Sequence, residues 1–590
     1  MNKQTGAHSN HVLSSEKGAA LLIALLAVIM MALLGMVLLE VLRGGLTQAA
    51  SSEARIQAEA LAQKGLDDSL ALIRHAVEQG NRAADYRTRI DAVHTALGEY
   101  LSSSPGSPGG TTVLGFLKDN KAEASRGSYS IRVIPSENKL VLPLAVPTSP
   151  DSPYVYKVVI ESTGRSGTQR EVSVGKKMTV YISTINPVFR YPVSSSGDMA
   201  LNGAPAITGD VFVNGGLSVT GKAQFVTSRN HTIGSDYPSL KGFVKVNGGS
   251  YTYKMDGVIK AGFENGFFSR HIPFVDASLP SAVDVDVQSI VEAKSSAAPG
   301  SAISLRGTRG FGQLIGAAGM EDYPLNTHPA NQSLRLDNRW AFLNGKLTLA
   351  PSGGDPGGIW INQGGLYLNS GAELLIRKGS VYIANDDPNM VAAHLGGTLG
   401  LEPGEFAAIR GNVTLYNGFE LKQGVMYIAG DLKIIGNVSL NGTLYVDGNV
   451  ELKEMTSLNS TGALVIAAQG NMVLGNNASD QKIRSFLYSN SDMGLYGVKS
   501  KLDIRGGIHG KNVALNAVRG EVGTGLTHTD AVPPAAFQFL SETEQKQLAP
   551  SDSRLRIEYD SQLYEDPPSG IPTIDRVQVY VSQIQFVNEG

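Results

Sequence analysis

The densest grouping of residues able to do acid–base chemistry is Asn385-Asp386-Asp387, preceded by Arg377-Lys378 and followed by His394. Two carboxylates beside a cation are the minimum equipment for glycoside cleavage, one protonating the leaving oxygen while the other attacks or activates water. The same text follows a strand-like run at 380–383 and continues into Pro388, which is ordinary turn composition, since Asn and Asp side chains bond their own backbone. The turn is the preferred reading. No GxSxG elbow, HExxH, P-loop or EF-hand spacing occurs. With no cysteine there is no thiol nucleophile, thiolate metal site or disulfide framework. The ten histidines are scattered, and neither His271 nor His509 has a His or carboxylate at ligand spacing. Trp340, Trp360, Tyr367, Tyr382, Tyr427 and Tyr445 are able to stack on sugars, although on strands such residues are more often simply good strand formers. The expectation is therefore a protein that is not an enzyme and uses no cofactor or metal.

The elements that would carry these side chains are written in the glycines. Of 590 residues 68 are glycine, above the ~7% of average usage. In one block they fall at Gly197, Gly203, Gly209, Gly215 and Gly221, in the text GDMALN GAPAIT GDVFVN GGLSVT GKAQFV. A second block repeats the period at Gly418, Gly424, Gly430, Gly436, Gly442 and Gly448: GFELKQ GVMYIA GDLKII GNVSLN GTLYVD GNVELK. The third and fifth places of each hexad are apolar, failing only at Glu420 and Lys422. Two apolar residues two apart make a short strand with its inward face fixed, and a glycine every sixth residue supplies a corner. The pattern predicts a mainly β chain: a parallel β-helix solenoid, expected to be right-handed, with three hexads to a coil of about 18 residues and coils ~4.8 Å apart. Looser coils at 358–383 and 462–515 extend it to roughly ten coils, a rod on the order of 50 Å. Such hexads are similar to those of bactofilin-like β-helix proteins. Charge is nearly balanced, 50 Lys plus Arg against 53 Asp plus Glu, so no nucleic-acid partner is expected.

At the N-terminus, residues 19–39 (AALLIALLAVIMMALLGMVLL) carry no charge. As a helix this run spans about 30 Å, the thickness of a bilayer core. A small-residue site at Thr47-Gln48-Ala49 leaves signal-type cleavage open. Helical patterning continues over 49–72, with Ile56, Leu61, Leu66, Leu70 and Ile73 as the candidate apolar stripe, and again over 84–101. Lys17-Gly18 directly before the apolar run, the run itself, and the Ala/Glu-rich segment from Gln57 to Asp67 closing in Gly65-Leu66 together resemble the N-terminal domain of PilX-type minor pilins and related pseudopilins of type IV pili and type II secretion. The resemblance covers about 60 residues. It implies a prepilin peptidase reading Lys17, Gly18 and Ala19, and other pilins or pseudopilins as partners. The usual glutamate at the fifth mature position is replaced by Ile23, and the usual Ala-Glu before the glycine by Gln63-Lys64. Lacking the glutamate, the chain cannot pair a membrane-buried carboxylate with a neighbour's terminal ammonium, which fits a tip or minor role.

The expected organisation is a leader at 1–18, a transmembrane helix and helical stalk at 19–101, and a β-meander linker at 127–185. In that meander Ser162–Gly167 is read as the turn between two strands, a segment similar to one found in pilin-like exported proteins. The solenoid follows at 186–530, with an insertion at 227–339 containing a short helix near 284–294. A strand-containing cap at 531–590 then covers the solenoid end. The functional expectation is an exported structural protein of the cytoplasmic membrane, crossing it once, for pilus-type assembly, adhesion or surface display, with polysaccharide or a host surface as a further partner. The alternative is a membrane-anchored β-helix polysaccharide lyase or hydrolase using Asp386 and Asp387.

Overall fold

The computed structural model describes residues 12–102, 127–133, 153–166, 172–225, 231–242, 244–246, 252–261, 284–295, 303–304, 321–352, 358–387, 390–459, 463–475, 481–522, 538–561, 567–581 and 584–587. The chain opens with one 69-residue helix, α1 (Val12–Gly80), about 100 Å long at 1.5 Å per residue. Lys17, Gly18 and Ala19 lie within this helix, with no break between them. Its first half, from Leu21 to Leu46, exposes every large apolar side chain, and among the described residues it is the helix long and apolar enough to cross a membrane.

The second half of α1 behaves differently. It packs with α2 (Tyr86–Ser102) on an antiparallel sheet of β1 (Gly127–Val133), β2 (Val155–Ser166) and β3 (Ser173–Ile185). The buried stripe is Ala54, Ala58, Ala62, Leu66, Ile73 and Val77, whereas Ile56 is 66% exposed and Leu61 half-buried. Leu66, Leu70 and Ile73 of the expected stripe enter the core, but over Ala54–Ala62 the small residues hold the interface because the helix comes too close for larger ones. A Cβ on Gly164 would overlap the Ala58 carbonyl and the Ala62 amide, and one on Gly65 would overlap Ser162. Ser162-Thr163-Gly164 is therefore not a turn: β2 runs straight through to Ser166, and its glycine is the seat for the helix. Lys176 of β3 then reaches back to Glu59 and Gln63 of α1, each at 3.2 Å.

From Val193 onward the architecture is a parallel β-solenoid of about eleven turns. Along one face the strands Leu334–Asp337, Gly358–Asn362, Ser380–Ala384, Phe406–Arg410, Val425–Ala429 and Gly442–Val446 pair in register, each parallel to the last. Val425 pairs with Thr443, eighteen residues on, within the strict hexads, while Leu334 pairs with Ile359, twenty-five on, where corners carry loops. Inward Val, Leu, Ile and Met form one continuous core. The failing hexad, GFELKQ, solves its problem by slipping one residue: Phe419 and Leu421 turn inward in place of Glu420 and Lys422. A one-residue slip exchanges the faces of a strand, so the polar pair goes out.

The order of coils in space is not their order in sequence. The first coils of the chain stack on the last: Ile508–Gly510 pairs with Val193–Ser195, and Val513–Ala517 with Met199–Gly203. The third face of this junction is filled by Leu555–Glu558, parallel to Leu502–Arg505 on one side and to Ala206–Thr208 on the other. The stack then continues through Val211–Val213 to Val244–Val246, so Ser239–Lys241 and Val244–Val246, expected in an insertion beside the rod, add rungs to it. The chain afterwards returns to the opposite end, where Ile303–Ser304, parallel to Leu334–Arg335, begins the long run. Between lies α3 (Val287–Ser295), whose Val287 and Val291 pack on the outside of the rod against Tyr427, Tyr445 and Val465. The C-terminal segment, expected as an end cap, instead contributes an internal rung and then a strand, Thr573–Val581, antiparallel to β3. Its Val577 enters the core between α1, α2 and the sheet.

Two outcomes are expected. Gly164→Val should destabilise the helix–sheet unit by roughly 1–3 kcal/mol through overpacking, read as a lowered melting temperature of the full chain. His509, buried at the junction, stacks on Tyr488 at 5.0 Å with Nδ1 2.8 Å from Ser194 Oγ, and burial lowers its pKa to about 4. It is neutral in the folded protein while the unfolded chain takes up a proton near 6.5. Its contribution is thus fully present above pH 6.5, lost as pH falls towards 4, and constant below that; the loss is about 3 kcal/mol. Chemical melts at pH 7 and pH 4.5 should differ accordingly, and His509→Gln should flatten the difference.

Candidate functional site

Six of the eleven corner glycines take a left-handed φ: Gly203, Gly209, Gly418, Gly424, Gly436 and Gly442. The others, Gly197, Gly215, Gly221, Gly430 and Gly448, do not, and four of these are there for closeness. A Cβ on Gly430, for instance, would overlap the Gly411 carbonyl of the coil below. At Gly221 the nearest atom would be 3.5 Å away, so that corner has room.

Beside the glycines runs a second periodic feature that the hexad pattern alone did not expose. Asn412 Oδ1 accepts from the amide of Asp431 (2.9 Å), Asp431 Oδ1 from that of Asn449 (2.7 Å), and Asn449 Oδ1 from that of Asn471 (3.0 Å). Asn471 Oδ1 accepts from the Asp492 amide (3.2 Å), and Asn512 Nδ2 donates to Asp492 Oδ1 (2.8 Å). The ladder then crosses the junction: Asn512 Oδ1 accepts from the Asp198 amide (3.0 Å) and Asp198 Oδ1 from the Gly216 amide (2.7 Å). At every rung but the side-chain pair Asp492–Asn512, one coil thus caps a backbone donor of its neighbour where the strands bend and cannot pair. The signal was present in the sequence as Gly followed by Asn or Asp at 197, 411, 430, 448 and 470.

The carboxylate pair is built as a corner. Asn385 is buried, donating to the Gly364 carbonyl (3.1 Å) and accepting from the Asp387 amide (3.1 Å). Asp386 is held by Arg410 of the next coil (2.9 Å) and by Gln363 of the coil before. His394 lies on another face among Trp340, Tyr367 and Tyr416, ring centroids 6.0–6.5 Å away, and burial lowers its pKa. The histidine and the carboxylates are thus engaged with separate partners. Among the described residues no group of three or more His, Asp or Glu is placed to hold a metal ion.

The aromatic residues divide into two rows. Trp360, Tyr382, Phe406, Tyr427 and Tyr445 run up one outer face, Trp360 stacked on Tyr382 and Tyr427 on Tyr445. Much of that row is covered: α3 lies over it, with the Lys294 ammonium 5.3 Å from the Phe406 ring, and Phe189 packs edge-on against Phe486 further along. Trp340, in the second row, is fully buried over Gly365. Most of these rings therefore serve as packing surface between layers of the protein.

No family model matches the chain, and no curated protein does. A solved structure, the competence-associated pilin ComZ from Thermus thermophilus, aligns over 90% of this chain and 98% of its own at 11% identity, with a TM-score of 0.17. A superposition that poor carries no argument.

The Asp386–Arg410 pair is half exposed on both sides. Asp386→Ala should change unfolding stability by less than about 1 kcal/mol, the ordinary worth of a surface ion pair, in a denaturant titration of the full chain.

Proposed function

We propose that the chain is a membrane-anchored minor pilin- or pseudopilin-like structural subunit that carries a β-solenoid on the outer side of the cytoplasmic membrane. The observation that supports this most directly is the division of α1. One continuous helix has a first half with all its large apolar side chains exposed and a second half seated on an antiparallel sheet through Ala58, Ala62 and Gly65. An exposed apolar helix of this length is stable in a bilayer or against other apolar helices, and its folded second half fixes the direction in which it leaves the protein. The residues that seat the helix are those of the Ala/Glu-rich segment on which the pilin resemblance rests.

In this reading the role is assembly, adhesion or surface display of a type IV pilus-type system. Lys17, Gly18 and Ala19 are the processing site for a prepilin peptidase, and other pilins or pseudopilins are the lateral partners of α1. Ile23, 69% exposed, stands where a bulk subunit would place its carboxylate, which restricts the chain to a minor position. The rod is a display surface and not a catalytic one, with polysaccharide or a host surface as the target. The Asp386 corner supports this, since both its oxygens are spent on neighbouring coils.

Mass spectrometry of the mature N-terminus, on protein taken from native membranes, tests the reading. A chain beginning at Ala19 is expected, and Gly18→Val should abolish that cut. Retention of all 18 leading residues would overturn the pilin assignment and leave a signal-anchored solenoid. A start near Ala50 would remove the anchor as well.

A further inference from the structure

The described parts of residues 555–587 touch every major part of the molecule in turn. Leu555–Glu558 closes the third face of the junction between the last and first coils, where Ile557 is buried in the solenoid core. Asp560 follows, paired with Arg484 at 2.9 Å. The segment then lies along the outer face of the rod, Thr443 Oγ1 donating to the Ser569 carbonyl and Tyr445 Oη to that of Gly570, both at 2.7 Å. Gly570 has a left-handed φ of 71°, and a Cβ there would stand 2.6 Å from Val425, so contact with the rod is close. Ile571 joins Tyr445, Val425, Val188 and Phe189 in the layer between rod and sheet, and the Asn186 amide donates to the Pro572 carbonyl (3.1 Å).

Beyond this point Thr573–Val581 completes the antiparallel sheet, and Gln585–Val587 pairs with Gly175–Lys177 further along β3. The new edge is closed by side chains of the α1–α2 turn and of α2. Asn81 bonds both the amide (2.9 Å) and the carbonyl (2.8 Å) of Val577, while Arg89 bonds the Asp575 carbonyl and lies 3.5 Å from its carboxylate.

We propose that this C-terminal stretch is a clasp that docks as one unit, coupling closure of the rod junction to completion of the sheet on which α1 is seated. Its most distant partners lie hundreds of residues earlier in the chain: Ala206–Thr208 on the rod side, Asn81 and β3 on the sheet side. Neither the first coils nor the anchor-bearing sheet has its full set of partners until the clasp is in place. The anchor-bearing unit thus becomes complete only in a full-length, closed chain.

Hydrogen exchange on the full-length protein in detergent tests the coupling with two remote variants. Ile557→Asp strikes the rod end of the clasp, and Val577→Asp strikes the sheet end. Each is expected to raise amide exchange at least tenfold at both 193–213 and 178–185, with 365–376, which the clasp does not touch among the described residues, unchanged. Tyr445→Phe, which removes only the bond to Gly570, should raise both regions together by a smaller factor, about threefold. Loosening confined to the neighbourhood of each substitution would overturn the proposal, because the two ends would then be independent. A uniform rise along the whole chain in both Asp variants, with no effect of Tyr445→Phe at either end, would overturn it too.

Discussion

The parallel, in-register contact between Ile508–Ala517 and Val193–Gly203 is the constraint on which the rest of this protein hangs. A β-solenoid coil cannot bury its inward face or pair its backbone alone; it borrows both from neighbours above and below. Three coils at the start of a chain are a poor seed, with two raw edges and little core. By stacking them on the last coil of a long run, the fold gives them a finished template. It also hides one edge of each stack in the same contact. The cost is topological: the chain must travel back along the rod to begin the long run, and it must send Leu555–Glu558 into the seam to fill the third face. Contacts of such sequence separation raise the contact order of the chain, which slows folding.

The helix–sheet unit obeys the opposite rule. Its contacts are set by small residues, not large ones. Ala58 and Ala62 face Gly164, and Gly65 faces Ser162, so helix and strand backbones approach closely over a short stretch while Leu66, Ile73 and Val77 fill the wider space beyond. The first half of α1 has no such surface to meet. The same helix is thus an internal element along one half and an unpartnered apolar rod along the other, and the boundary lies between Leu46 and Ala54.

The solenoid was legible in the sequence because its period is short and local: a glycine and two inward residues every six positions need no knowledge of distant chain. The Asx ladder was equally periodic but was masked by variety, since Asn stands at 412, 449 and 471 and Asp at 431 and 492, and only the Oδ1 acceptor is constant. Nothing local, however, distinguishes a coil that stacks on its successor from one that stacks 315 residues away, as Val193 does on Ile508. The same blindness affected Ser239–Lys241, Val244–Val246 and Leu555–Glu558, which as isolated strands carry no hexad phase. The apolar stripe of α1 held at Leu66, Leu70 and Ile73, and missed its N-terminal part for a simpler reason. Hydrophobic periodicity weights Ile56 and Leu61 above alanine, yet where backbones touch, alanine and glycine are the interface residues. For the candidate carboxylates, composition alone could not separate a turn from a site. What separates them is that Gln363 and Arg410, on the coils before and after, take up Asp386.

Seating the first helix on the same sheet that the C-terminal strands complete has a mechanical consequence. The rod is attached to that sheet through two chain segments, one leaving β3 at Ile185 and one returning at Thr573. Tension applied along α1 enters the sheet and has no covalent reason to pass through the rod, which hangs beside the load path. A pull on the rod itself divides between the two segments, and must shear Asn186 from Pro572 and Tyr445 from Gly570 together before either segment can extend alone. The solenoid is therefore carried as a side-mounted load, able to be tugged without unthreading α1 from its sheet.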